Sequence, residues 1–149
     1  MHLDDNKRIA LESFRIIETG EAAPADRIIA ADFVNREAED DPDQPDRNLK
    51  GPAGFMATSR WLSGAFSELR FEDFEVIAED HRVVVRATMS GRHTGTFQRI
   101  APTGRHFRQR QIHLFRLHAG KIVEHLAQRD DLGLLLQLGW RPAERPTTV

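Results

Sequence analysis

The chain has 149 residues, 40% of them apolar and 30% charged, enough for one core under a well-solvated surface and too apolar for disorder throughout. Its 21 Lys and Arg against 23 Asp and Glu give a formal charge of -2, without the basic excess that a nucleic-acid surface needs, so nucleic acid is not expected as a partner. The absence of cysteine removes disulfides, thiol nucleophiles, iron–sulfur clusters and cysteine zinc sites together; it fits a reducing cytoplasm and leaves carboxylate, imidazole and hydroxyl chemistry.

Met1 to Lys7 is polar, and no run approaches the roughly 18 apolar residues of a membrane span. No export signal, no membrane partner and a cytoplasmic location are therefore expected. Asp4 or Asp5 is placed to cap a first helix whose apolar residues Ile9, Leu11, Phe14, Ile16 and Ile17 recur at helical spacing, and Gly20 stops it. Pro24 opens a second, short helix through Ile29, and Ala31 to Asn35 leads out of it. Residues 35–50 carry six carboxylates and two prolines around only Ala38 and Leu49, which reads as a solvated acidic loop, with a lid over a pocket as the alternative.

Gly51-Pro52 opens a third helix running to about Glu68, with Phe55, Met56, Trp61, Leu62 and Phe66 on an apolar stripe. The period then changes. Leu69 to Ile77, His81 to Met89, Phe107 to Leu117 and Ile122 to Leu126 read as strands separated by short reversals, which only an antiparallel meander accommodates. Asp130 or Asp131 caps a last helix through Leu138, closed by Gly139, and the tail from Arg141 to Val149 is expected to fray. The order, three helices, about four strands and a terminal helix, defines one α+β domain with room for a pocket between helices and sheet.

Several stretches resemble the SnoaL-like polyketide cyclase and ester cyclase family. They include Gly51-Pro52-Ala53-Gly54-Phe55, Gly91-Arg92-His93-Thr94-Gly95-Thr96-Phe97, Ala101-Pro102-Thr103-Gly104-Arg105, Gly120-Lys121-Ile122-Val123-Glu124-His125 and Leu132-Gly133-Leu134-Leu135. The resemblance implies the nuclear transport factor 2-like cone, a cystatin-like half-barrel with its pocket at the open mouth, paired as a homodimer through the sheet. It also implies cofactor-free ring closure of polyketides by intramolecular aldol condensation. A base removes a proton from carbon flanked by carbonyls, and donors stabilise the enolate oxygen. The family's usual acid/base candidates, an Asp after the last strand and a His in the strand before it, correspond here to Asp130 and His113. The chain departs from the family at Glu124-His125-Leu126-Ala127, where Glu-His-Trp is often followed by Asp or Asn, and after Asn35, where Arg36 and Glu37 stand near a common family His or Asp.

Each candidate also has a plainer reading. Asp130 serves equally as a helix cap. Strand alternation puts Gln111, His113 and Phe115 on one face and Ile112, Leu114 and Arg116 on the other, so His113 suits a core as well as a site. His125 shares a face with Ala127 unless a bulge intervenes. Trp61, Phe33, Gln128, Leu126 and Phe115 are the expected substrate contacts, with Trp61 at the pocket's edge. Arg108 and Arg110 face solvent or a dimer contact. The five histidines from His93 to His125 lack metal-ligand spacing, and neither a serine-hydrolase elbow nor a phosphate loop occurs, so no metal and no cofactor is expected. The expected ligand is a small hydrophobic carbonyl compound. It is turned over by proton abstraction, or held by a non-catalytic binding protein of the same fold, or processed by a hydrolase or isomerase using the same carboxylate.

Overall fold

The computed structural model describes residues 2–143. Helix α1 (Leu3–Thr19) buries Ile9, Phe14, Ile16 and Ile17 on one face and ends at Gly20, whose φ of 72° permits the left-handed cap. Asp4 and Asp5 do not cap it. His2 holds the cap position, and the two carboxylates lie in the first turn, where they face the positive end of the helix dipole. Helix α2 (Ala22–Ile28) runs directly into strand β1 (Ile29–Asn35), and a single 3-10 turn follows at Arg36–Glu39. Helix α3 (Gly51–Ala65) ends where β2 (Phe66–Glu79) begins, three residues earlier than its apolar stripe predicts, and β3 (Arg82–His93), β4 (His106–His118), β5 (Lys121–Arg129) and α4 (Asp131–Gln137) complete the chain.

The sheet has five strands, in the order β1-β5-β4-β3-β2. The antiparallel meander of four is correct for β2 to β5, but Ile29 to Asn35 adds a fifth strand that lies parallel to β5. Its sequence carries little β signal beyond Phe33 and Val34, and pairing across some 90 residues supplies the rest. Gly51 opens α3 at a φ of 69°, against the Ala31 carbonyl of β1, where a Cβ would come within 2.6 Å of the oxygen. That close approach seats α3 on the sheet. The sheet curves without closing, and α1 and α3 cover its concave side around a core that includes Phe14, Phe33, Leu62, Phe71, Val85 and Phe115.

Along β4 burial alternates residue by residue. Gln109, Gln111, His113 and Phe115 face inward, and Ile112, Leu114 and Arg116 face outward. In β5 the register slips between the Leu117–Ile122 and Arg116–Glu124 pairs, so Ile122 faces the core despite its odd spacing from His125 and Ala127. On the outer face Ile77, Val84, Leu114 and Leu126 are consecutive cross-strand partners, an apolar row across four strands. Ile77, at 69% exposure, and Leu114 and Leu126, above a third, leave this row open to solvent.

Residues 35–50 are not a simply solvated loop. Ala38, Gln44 and Asp46 are buried, and the segment folds back so that Asp46 lies beside Asn35 at the end of β1. Of the tail expected to fray, residues 144–149 lie outside the described residues. No helix among the described residues is long and apolar enough to cross a membrane.

Candidate active site

A cavity of about 50 Å³ lies between α1, α3 and the concave face of the sheet. Phe14, Phe33, Phe55, Phe71 and Phe115 form much of its wall, and His113, His125, Asn35, Glu37, Asp46 and Arg129 supply its polar groups. A second chamber of about 320 Å³ adjoins it and shares Leu62 and Arg129 as partition. Trp61, Met89, Phe97, Leu134 and Trp140 are the larger apolar side chains of the second chamber, and Gln109 and Asp131 are among its polar ones.

The polar groups form one hydrogen-bonded line across three strands. Gln109 Nε2 donates to Asp131 Oδ1 at 3.0 Å and to the Asp130 carbonyl at 3.3 Å. Gln111 Nε2 donates to Gln109 Oε1 at 2.8 Å. Gln111 Oε1 faces His113 Nε2 at 2.7 Å, and His113 Nδ1 faces His125 Nε2 at 2.8 Å. His125 Nδ1 meets Asn35 Oδ1 at 3.1 Å and Glu37 Oε1 at 3.3 Å. Glu37 Oε2 is paired with Arg129.

The proton count of this line follows from its two ends. Asp131 Oδ1 and the Asp130 carbonyl only accept, so Gln109 must present its amide nitrogen there. Each later group inherits that polarity. His113 donates from Nε2 and accepts at Nδ1, so His125 donates from Nε2. The free Nδ1 of His125 then confronts two further oxygens, of which Asn35 Oδ1 is held in place by the Glu37 backbone N–H. A line of neutral amides and imidazoles with acceptors at both ends is one proton short. A proton arriving between His125 Nδ1 and Glu37 Oε1, 3.3 Å apart, would complete it. Burial works against charging the rings: it lowers His125 to about 4, and burial together with the charge of His125 holds His113 well below its ordinary value. Both rings therefore favour the neutral form in the folded chain. Both nitrogens of each ring are engaged, so neither is free for a metal while the line is intact.

Asp46 adjoins this line at Asn35. It is 3% exposed, and burial raises its carboxyl from the ordinary value, with the nearby Asn35 and Thr58 acting in the opposite direction. Asp46 Oδ1 and Thr58 Oγ1 are both buried and lie near each other, and neither makes a well-formed hydrogen bond among the described residues.

The expected site residues separate into three groups. His113, Phe33 and Phe115 line the first cavity, and Trp61 lines the adjoining chamber. Leu126 and Gln128 do not: alternation along β5 turns them to the outer face, and both are exposed. Asp130, expected as an acid/base, lies apart from the lining residues. It caps α4, its Oδ1 accepting from the Gly133 N–H at 2.9 Å, and it borders neither cavity. Arg129, Glu37 and Asp46 were not among the expected residues. Alternation from His125 through Ala127 points to Arg129, but no periodicity distinguishes Glu37 or Asp46 within a run of carboxylates.

The family model described as SnoaL-like polyketide cyclase matches residues 8–138. Aklanonic acid methyl ester cyclase DauD of Streptomyces sp. (strain C5) is 40% identical over 108 residues, an alignment covering 66% of this chain and 66%, just under two thirds, of DauD. The nogalonic acid methyl ester cyclase of Streptomyces nogalater is 31% identical over 134 residues, covering 83% of this chain and 96% of that relative. Among solved structures, TsrD from Streptomyces laurentii shares the fold with a TM-score of 0.81 at 22% identity, covering 93% of this chain and 98% of TsrD.

Proposed function

The chain belongs to the SnoaL-like polyketide cyclase family, and from that premise we propose that it closes a ring in a polyketide methyl ester by intramolecular aldol condensation without a cofactor. The substrate class is carried over from the methyl ester cyclases among its relatives. The polyketide occupies the larger chamber against Trp61, Phe97 and Trp140 and reaches past Leu62 and Arg129 to the histidines. A base takes a proton from carbon flanked by carbonyls. The enolate attacks the ketone, and the new alkoxide is protonated.

The observation that carries this reading is the His113–His125 line at the wall of a mostly aromatic cavity, with His125 Nδ1 held against Asn35 Oδ1 and Glu37 Oε1. An enolate or alkoxide oxygen that displaces one of these bonds accepts from an imidazole N–H, in surroundings where water does not screen the interaction. His113 and His125 are thus assigned to stabilising and reprotonating oxygen, and the carboxylate capping α4 has no part. The reading is tested by incubating chelator-treated protein with aklanonic acid methyl ester and separating open from ring-closed product by chromatography. Ring closure supports it.

One observation favours a second reading. Ala127, the cross-strand partner of His113, faces inward with no functional group, as suits a binding protein of the same fold. Tight binding of the ester without product would select that reading. Under either one, we propose that a second copy covers the outer row of Ile77, Val84, Leu114 and Leu126, giving a homodimer through the sheet.

A further inference from the structure

Resting on the cyclase reading, we propose that Asp46 is the catalytic base that takes the proton from the substrate carbon, with the Thr58 hydroxyl donating to the enolate oxygen. The family pattern quoted above does not name Asp46, and the case for it is geometric.

Among the ionisable groups lining the first cavity, the bonding capacity of most is already taken. Glu37 Oε1 faces His125 and Oε2 is paired with Arg129. Both nitrogens of His113 and of His125 are engaged. Asp46 alone lines the same cavity with a buried oxygen that lacks a partner. An unsatisfied carboxylate oxygen out of water is costly unless something arrives to use it. Thr58 Oγ1, equally buried, lies against the Asp46 carboxyl without a well-formed bond and lines that cavity too. One group thus offers a lone pair and the other an O–H, the two requirements for forming an enolate. Burial favours the protonated form of Asp46, which suits a base that must accept a proton and return it. Asp46 also borders a surface hollow with Val34, Arg47 and Leu49, so the segment that carries it lies between cavity and solvent.

The step balances within the substrate. Asp46 Oδ1 takes the proton from the carbon between two carbonyls, and the C–H pair becomes the enolate, whose oxygen accepts from Thr58. The enolate carbon attacks the ketone carbon, forming the C–C bond, and the carbonyl π pair moves to oxygen. The alkoxide, bonded to an imidazole N–H of the His113–His125 line, takes that proton, and the imidazole is reprotonated by the Asp46 carboxylic acid, directly or through a water, which regenerates both groups. No oxidant, reductant or second substrate is needed.

The test follows the fate of the C–H bond in the full chain. Aklanonic acid methyl ester is incubated in D2O with wild type, Asp46→Asn, Asp46→Ala and Thr58→Val, and deuterium uptake and ring closure are followed by mass spectrometry and chromatography. Asp46→Asn is expected to lose about 100-fold or more in both, with affinity for the ester unchanged within a few fold. Thr58→Val is expected to lose roughly 10-fold. Formate should restore activity to Asp46→Ala in proportion to its concentration and leave wild type unaffected, a response that a merely structural aspartate does not give. Asp46→Asn or Thr58→Val at the wild-type rate would overturn the proposal, as would an Asp46→Ala variant indifferent to formate. If Asp46→Asn does not fold, the formate response and Thr58→Val decide. A wild-type protein that neither exchanges the proton nor closes the ring fails in a different way, overturning the cyclase reading on which this one rests.

Discussion

His113 Nδ1 and His125 Nε2 lie 2.8 Å apart across neighbouring strands, and the bond between them has a fixed direction because the line it belongs to begins at the Asp131 carboxylate. His113 therefore carries its proton on Nε2 and accepts at Nδ1, and His125 likewise donates from Nε2 and turns Nδ1 towards Asn35 and Glu37. Nitrogen-15 spectra of histidine-labelled protein at neutral pH are expected to show both rings as the neutral Nε2–H tautomer. Gln109→Glu, which offers only acceptors when ionised, should disturb the His113 resonances although it lies four residues away along β4.

Burial makes the histidine pair a source of acid sensitivity. His125 titrates near 4 in the folded chain against 6.5 for the free side chain, so between these values the unfolded chain binds the extra proton and the folded chain does not. Stability is complete above about 6.5 and falls as the pH drops towards 4, by about 3 kcal/mol from His125 alone. His113, lowered for the same reason, acts in the same direction. Denaturant melts of wild type and His125→Phe across this range check the sign, the variant showing the shallower decline.

Asp130 is assigned to structure. Replacing it with Ala removes the cap on the Gly133 N–H and is expected to cost about 1 kcal/mol, lowering Tm by roughly 2–4 °C for a chain of this size. Ring closure should stay at the wild-type rate, as a melt and an activity assay on the same preparation would show.

Leu114 lies in the middle of the outer apolar row, paired with Val84 and Leu126. A glutamate there adds a charge to solvent in a monomer but buries one in a dimer through the sheet, which is expensive. Leu114→Glu is expected to sediment as a monomer at concentrations where wild type sediments as a dimer.

The fold was legible where periodicity is strong. The burial alternation of β4 and the faces of His113 and Phe115 follow directly from a strict two-residue repeat, and Gly20 marks the end of α1. Strand β1 was not legible, because Ile29-Ala30-Ala31-Asp32 has no alternation and its partner is remote in sequence. Leu126 and Gln128 follow the same repeat as Ala127 and His125 on the opposite face, so reading one pair as inward excluded the other. Asp130 illustrates a different limit: capping and catalysis ask for the same residue type, and only the bond to the Gly133 N–H separates them. Glu37 and Asp46 lie in a run of acidic residues whose composition signals solvent, and only the fold of that run distinguishes the carboxylates turned inward.

The relay's part in catalysis is tested most directly by comparing wild type with His125→Phe on aklanonic acid methyl ester, following ring closure and ester affinity on the same metal-free preparations. The expected result is a loss in turnover of about 100-fold or more with affinity held within a few fold, because the phenyl ring fills the cavity but cannot carry the proton. A His125→Phe variant that closes the ring as fast as wild type would contradict the assignment of the His113–His125 line to the reaction.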